Sequence, residues 1–455
     1  MCSSITQALS EWVAGLHWEE VPPAVQEAVK VEVVDAVGDA LAGHDMEETR
    51  QVLRFVEKAT GNGSSTVLGG GTSSPLGATF ANGYLITAAT ICDVYRPTHC
   101  HVSPEVLPPA LATAELMGRS GTDFLVAVAA GLEVTTRVGQ ALGPVELRAR
   151  GWHAPGVTGG FGGAAAAGKL LGLSATEQAR AFGLAGSQAS GTYAQWETPG
   201  VKFHQAHGAA SGLVSAMLVS EGFEATGDIF TAPDGGFLNA YTGGGNGPAL
   251  LDELGARWEL AEIALRLWPT GSPVQSIPTG LLELMHRHNI ASGTITAIRL
   301  TLPPMVYNMH QTVEWRDPFS ARLSPQYIAA VIALDGACWF EQFGSSRIGQ
   351  ADVNEFARHH VTITSDARLP EAGANIVITL SGGEEYEILV SVPKGDPTVP
   401  LTLPEVRDKF YQCAQYRLKP ATIDEVFNRL AELETAGDMA TLIGKFRANL
   451  PLRGV

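Results

Sequence analysis

From Pro22 to Gly43 the chain reads PPAVQEAVKVEVVDAVGDALAG, with Val25, Val29, Val33, Val37 and Leu41 spaced four apart. That period places them on one face of a helix, and the paired prolines suit a helix start. In SGTDFLVAVAAGLEVTTRVGQ, Asp123 lies near the start, and Glu133 and Arg137 sit at i,i+4, the spacing of an intrahelical ion pair. LSATEQARAFGLAGSQASG opens with Ser174 and Glu177 at capping-box spacing. The helical pattern continues to about Ala264. Several of its helices are dense in Gly and Ala, which permits close helix–helix approach in a deeply buried bundle.

The pattern changes near RLWPTGSPVQSIPTG, Arg266 to Gly280. Beyond a helix around Leu281–His288, period-two segments follow in TITAIRLTLP, HVTITSD and ANIVITLSGGEEYEILVSVP, the alternation of half-buried strands. The last reads as a hairpin turning at Ser381-Gly382-Gly383, and SPQYIAAVIALDGACWF between the others is helical. From Pro404 the helical period returns, with Ile423, Val426, Phe427, Leu430 and Leu433 on one face. The predicted fold is mainly α with an α+β second domain. Residues 1–268 and 404–455 build a large all-helical domain from both chain ends, and 269–403 form a smaller inserted α+β domain. No period of 20–50 residues repeats.

Composition narrows the partners. With 455 residues, 45% of them hydrophobic and 17% charged, the chain can bury a large core. A net charge of −17 argues against nucleic acid and anionic membranes as partners, while a local cluster of basic groups still allows an anionic substrate. The five cysteines form no CxxC pair, so neither a disulfide framework nor a zinc knuckle is expected. The N-terminus lacks the basic and apolar regions of a signal peptide, and no uncharged apolar run reads as a spanning helix. The expected compartment is the cytoplasm.

Four motifs carry candidate chemistry. GAAAAGKL, from Gly163 to Leu170, approaches the phosphate loop, but no strand precedes it, its alanines favour helix, and Leu170 cannot ligate Mg²⁺. Its glycines read as packing positions. RPTHCHVSPEVLPPA places His99, Cys100 and His101 together, without the second Cys/His cluster that a zinc site needs; no metal is expected. RARGWHAPGVTGGFGG puts His153 in a turn just before a buried helix, where it either caps the helix or joins free amides in binding a carboxylate. ETPGVKFHQAHGAASG offers Lys202, His204 and His207 just before another small-residue helix, either a solvated loop or an anion site. The last three share one form, a polar loop running into a tight helix.

In this order those segments resemble the MmgE/PrpD family, which includes 2-methylcitrate dehydratase, cis-aconitate decarboxylase and iminodisuccinate epimerase. The resemblance extends over nearly the whole chain, through VVDAVGDALAG, ANGYLITAATICDVYRPTHCHVSPEVLPPALATAEL, GWHAPGVTGGFGGAAAAGKLLGL, VKFHQAHGAASG and LRLWPTGSPVQS. It implies a helical domain with an inserted α+β lid, a homodimer, no cofactor and a small di- or tricarboxylate substrate. His101 matches the histidine before the family's "PSG"-like turn, His153 that of its "FHPT"-like turn, and Lys202 its lysine before the small-residue helix. Arg266 falls where many members have lysine, and Tyr307 matches a lid tyrosine.

The chain also departs from the family's HxxDFDD[TS] signature. Thr87 replaces the histidine, Thr90 the first aspartate and Val94 the hydroxyl residue, leaving Asp93 of the acidic cluster. Dehydration and decarboxylation both need a group that delivers a proton, whereas epimerisation has no leaving group. The expectation from sequence is therefore an epimerase of the iminodisuccinate kind, moving a proton α to a carboxylate. His101, His153, Lys202 and Tyr307 supply its base, acid and enolate-stabilising groups; Arg266, Asp93 and His204 bind substrate. The alternatives are a dehydrating or decarboxylating lyase with Asp93 as a displaced acid, and a non-catalytic acid-binding member of the family.

Overall fold

A computed structural model describes residues 4–448 and is mainly α-helical with an α+β part. The chain divides into two compact units, one running to Ile263 and resuming at Thr402, the other spanning Ala264–Leu401.

The first unit contains helices α1 (Ile5–Gly15), α2 (Pro23–Gly43), α3 (Glu47–Ala59), α4 (Pro75–Ala88), α5 (Ser103–Met117), α6 (Gly121–Leu142), α7 (Pro144–Ala149), α8 (Ala154–Leu171), α9 (Ala175–Gln188) and α10 (Gly200–Ser220). Helix α8 lies at the centre, packed by α5, α6, α9 and α10. Its glycines make this possible. A Cβ on Gly212 of α10 would stand 2.6 Å from the Ala164 nitrogen and 2.7 Å from Gly163 Cα, so these two helices meet backbone to backbone. A Cβ on Gly131 of α6 would stand 2.8 Å from the Gly162 carbonyl oxygen. The GAAAAGKL segment is thus a helix interior.

Helix α6 bears on the expectation that no segment reads as a membrane span. By length and composition it is apolar enough to cross a membrane, yet nearly all of it is buried among its neighbours. It also carries a buried ion pair: Glu133 Oε1 lies 2.6 Å from Arg137 Nε, and neither side chain is exposed. The capping box at Ser174 and Glu177 forms as the spacing predicts. After Thr402, helices Leu403–Ala414 and Pro420–Ala431 pack against α2.

The second unit is built on a four-stranded sheet in the order Val361–Ser365, Ile295–Leu302, Ala374–Leu380, Glu385–Val390. The first pair is parallel and the other two are antiparallel. The hairpin closes where Gly383 adopts φ +90° and its nitrogen donates to the Leu380 carbonyl at 2.9 Å; that left-handed conformation favours glycine. Ile298, Leu300 and Leu302 alternate inward, joining Ile376 and Ile378 in a core with Leu281, Leu284, Ile328 and Ile332 of helices Ser276–Arg287 and Pro325–Asp335.

Candidate functional site

The segment from Ala89 to Val102 joins α4 to α5, and two of its residues take left-handed backbone, Thr90 at φ +60° and His99 at φ +56°. Such conformations cost a non-glycine residue of order 1–3 kcal/mol and persist only where surrounding contacts impose them. Here Asp93 imposes much of the order. Its buried carboxylate accepts from the Val102 nitrogen at 2.7 Å, the Ser103 nitrogen at 3.2 Å and Ser103 Oγ at 2.6 Å, capping the start of α5. Burial raises the Asp93 pKa, while the charge of His101 and these hydrogen bonds oppose the rise. His101 Nδ1 lies 2.6 Å from the Asp93 carbonyl oxygen. A carbonyl only accepts, so Nδ1 carries a proton and Nε2 is the atom whose protonation varies.

Cys100 and His99 part company. His99 is exposed, whereas Cys100 is fully buried, with Thr98 Oγ1 donating to its sulfur at 3.1 Å and Thr158 Oγ1 of α8 lying 3.5 Å away. The Cys100 thiol therefore ties the loop to α8.

His153 occupies the N-cap of α8, as the turn before a buried helix predicts. Its ring makes no capping bond and instead meets His204: the two Nδ1 atoms are 3.0 Å apart. Both rings are more than nine-tenths buried. Burial first, then the charges of His204, His101 and Arg148, push the His153 pKa well below its usual 6.5. Burial and His207 lower that of His204. Of the two readings from sequence, a helix cap or a carboxylate site with the free amides, the ring makes no capping bond, and desolvation among basic neighbours makes it a neutral imidazole.

Lys202, His204 and His207 also lie differently from their expected loop, because α10 begins at Gly200 and takes all three into its first turns. Lys202 is buried, with Nζ 2.8 Å from Glu48 Oε1 and 2.5 Å from the Ala88 carbonyl oxygen. It is no solvated loop lysine, and it ties α10 to α3 and to the end of α4.

Asp93, His101, His153, Lys202 and His204 thus all belong to the first unit, where His101 is close enough to His153 to disfavour its protonation. Arg266 and Tyr307 belong to the second. Arg266 is buried and donates through Nη1 to the Thr270 carbonyl at 3.2 Å, and Tyr307 is half-buried on the short helix Pro304–His310.

Sequence reasoning missed two sets of ionisable residues. One is a buried group behind the loop. Lys409 Nζ lies 2.6 Å from Asp35 Oδ1, 3.3 Å from Asp39 Oδ1 and 3.1 Å from the Ile91 carbonyl oxygen. Burial opposes its charge, yet Asp35 and Asp39 outweigh that and raise its pKa. Glu32, one turn earlier on α2, is raised by burial and by Asp93 and Asp35. The signal was available: Glu32, Asp35 and Asp39 recur at helical spacing inside an otherwise apolar stretch. The other is Glu105 in the first turn of α5, fully buried with neither carboxyl oxygen hydrogen-bonded. Burial raises its pKa well above 4.5, so it is a neutral acid. Among the described residues, no group of three or more His, Cys, Asp or Glu side chains is placed to hold a metal ion.

Comparison with known proteins matches the MmgE/PrpD N-terminal domain to residues 7–248 and the MmgE/PrpD C-terminal domain to residues 268–433. The chain is 28% identical to the cis-aconitate decarboxylase-like protein oryM of Aspergillus oryzae, over 98% of each chain. It is 25% identical to a cis-aconitate decarboxylase of Aspergillus terreus, over 97% of this chain and 95% of that one. With the human cis-aconitate decarboxylase it shares 26% identity, over 97% and 94%.

Proposed function

The chain belongs to the MmgE/PrpD family, and from that premise we propose that it is a lyase that decarboxylates a small unsaturated tricarboxylate of the cis-aconitate type. One observation carries the reading beyond the similarity of its relatives: His101, His153 and His204 gather in the first unit, with His153 and His204 held neutral by burial. Loss of CO₂ leaves an electron pair on carbon that must be protonated, and a neutral imidazole can give up the proton on one ring nitrogen as it takes up another on the second, so that no imidazolate forms. His101 delivers or removes the proton through Nε2. Lys202, at the start of α10, would meet a substrate carboxylate by sharing the charge that it now gives to Glu48.

The preference for epimerisation rested on the missing acids of the loop. Asp93, the acid that remains, accepts three hydrogen bonds from Val102 and Ser103 and serves to shape the loop. Replacement of its neighbours therefore weighs less against decarboxylation than the sequence alone suggests. Thr87 and Thr90, which stand where acidic relatives have histidine and aspartate, keep an epimerase of the iminodisuccinate kind as the second reading.

The test is incubation with cis-aconitate, 2-methylcitrate and iminodisuccinate in D₂O, followed by NMR. Release of CO₂ from cis-aconitate with one deuterium entering the product supports the proposal. Deuterium entry at an α-carbon of iminodisuccinate with stereochemical scrambling, and no CO₂, replaces it with the epimerase. His101→Ala and Lys202→Ala each lower kcat at least ~100-fold with the circular dichroism unchanged; wild-type rate in either removes that residue's role.

A further inference from the structure

The contact between His153 and His204 has a chemical consequence that neither ring has alone. Two Nδ1 atoms at 3.0 Å form a hydrogen bond only if one carries hydrogen and the other a lone pair. When both rings are neutral, they must then be opposite tautomers. The ring that donates through Nδ1 presents a bare, basic Nε2, and the ring that accepts presents an Nε2–H. One atom of the pair is a base and its counterpart is an acid, and a single proton shift along the Nδ1–Nδ1 line exchanges the two.

The surroundings hold this geometry. A Cβ on Gly191 would stand 2.9 Å from the His204 ring, and one on Gly156 would stand 3.0 Å from His204 Cβ and 2.3 Å from the Ser190 carbonyl oxygen. Only glycine at both positions lets segment 190–191 and α8 close on that ring. The His153 nitrogen donates to the Gly191 carbonyl at 3.0 Å, fixing the other ring to the same segment. We propose that His204 is the positioning residue that sets the tautomer of His153 and through which that ring exchanges its proton.

The exchange balances without another reactant. His153 takes a proton at Nε2, its Nδ1–H crosses to Nδ1 of His204, and His204 releases the proton from its own Nε2. The reverse sequence supplies a proton to substrate. Charge is better tolerated on His204. His153 stands at the positive end of α8, with His101 and Arg148 near it, whereas His207 on α10 is the basic group acting on His204. Tyr193, whose ring meets His153 edge-on, adds no charge near neutral pH. This inference rests on the proposed proton-handling role of His153.

Two experiments keep the two readings apart. In ¹⁵N-histidine-labelled protein without substrate, long-range ¹H–¹⁵N NMR at pH 7.5 identifies the tautomer of each neutral ring. One ring of the pair as Nδ1–H and the other as Nε2–H is expected; both as Nε2–H overturns the inference. The second experiment uses His204→Asn, whose amide reaches the Nδ1 position but cannot relay a proton, beside His204→Ala, which offers nothing there. On the substrate that the wild type turns over, Asn lowers kcat about 100-fold, leaves KM within twofold and loses the wild-type pH profile. Ala loses more, because His153 no longer has its tautomer set. A His204→Asn enzyme with wild-type kcat and pH profile overturns the relay. Opposite tautomers in a protein inert towards all three acids leave the pair standing and bring down the decarboxylase.

Discussion

Replacing Arg137 by Met tests how the first unit holds segment 249–260 against α6. The guanidinium pairs with Glu133 at 2.6 Å, donates through Nη1 to the Asp252 carbonyl at 2.8 Å and through Nη2 to that of Arg257 at 2.8 Å. Glu133 in turn accepts from the Glu259 nitrogen at 3.1 Å and the Leu260 nitrogen at 2.9 Å, so the pair clamps segment 249–260 onto α6. Met fills much of the volume but strands a buried carboxylate, a cost of about 3–5 kcal/mol. Two carbonyls losing their donors add about 1–3 kcal/mol each where water cannot replace them. The sum rivals the whole stability of an ordinary domain, about 5–15 kcal/mol.

The loss should also depend on pH. Burial raises the Glu133 pKa above 4.5, against the charge of Arg137 and the bonds from Leu260 and Glu259. A carboxyl raised on folding favours the native state below its unfolded pKa, and that contribution is lost as pH rises through the folded value. Without Arg137 the folded value climbs further. The difference in melting temperature between wild type and Arg137→Met is therefore smallest near pH 5 and largest near pH 8, and adding Glu133→Gln recovers part of it. Arg137→Lys, which keeps the charge, measures the hydrogen bonds if the Met variant is insoluble. A loss below about 1 kcal/mol, typical of a surface pair, or one that is flat with pH, refutes the reasoning.

Three further outcomes are expected. Gly212→Ala forces a methyl against the backbone of α8 and costs about 1–3 kcal/mol; an unchanged melting temperature means that the two helices do not touch there. Glu105→Met removes a buried acid with two unpaired oxygens and stabilises the protein by about 1–3 kcal/mol, so a destabilised variant contradicts the unpaired state. Because the His153 pKa is lowered from 6.5 and the proposed role uses its neutral form, the acid limb of kcat is expected below pH 6.5; a half-maximum at or above that value assigns the limb to another group.

The fold was legible where periodicity and burial agree. The four-residue spacing in α2 and the alternation in strand Ile295–Leu302 each have one physical reading, and the structure follows both. The glycine-rich segment at Gly163 was legible by elimination, since a phosphate loop needs a preceding strand that is absent. Within the candidate site, His101 and His153 were singled out from their loops. His204 was found as a residue but not in its contact, because a ring-to-ring bond across 51 residues leaves no local pattern. Lys202 read as a loop residue because ETPG before it signals a turn, and the helix begins only at Gly200. The protonation states were hidden as well: neutrality of His153 and Glu105 comes from burial among particular neighbours, which composition does not carry.

The hydrogen bond from Lys409 to the Ile91 carbonyl spans 318 residues of sequence. At synthesis rates of roughly 5–20 residues per second, the loop carrying His101 waits on the order of half a minute for that lysine to emerge. Until then Asp35 and Asp39 have no cation from Lys409, and the α2 face that it covers is open to water or to other chains. The loop can reach its final form only late in synthesis, after the segment that forms the second unit has been made. A chain stopped before Thr402 would carry every histidine of the candidate site and still lack the lysine that holds the Ile91 carbonyl behind them.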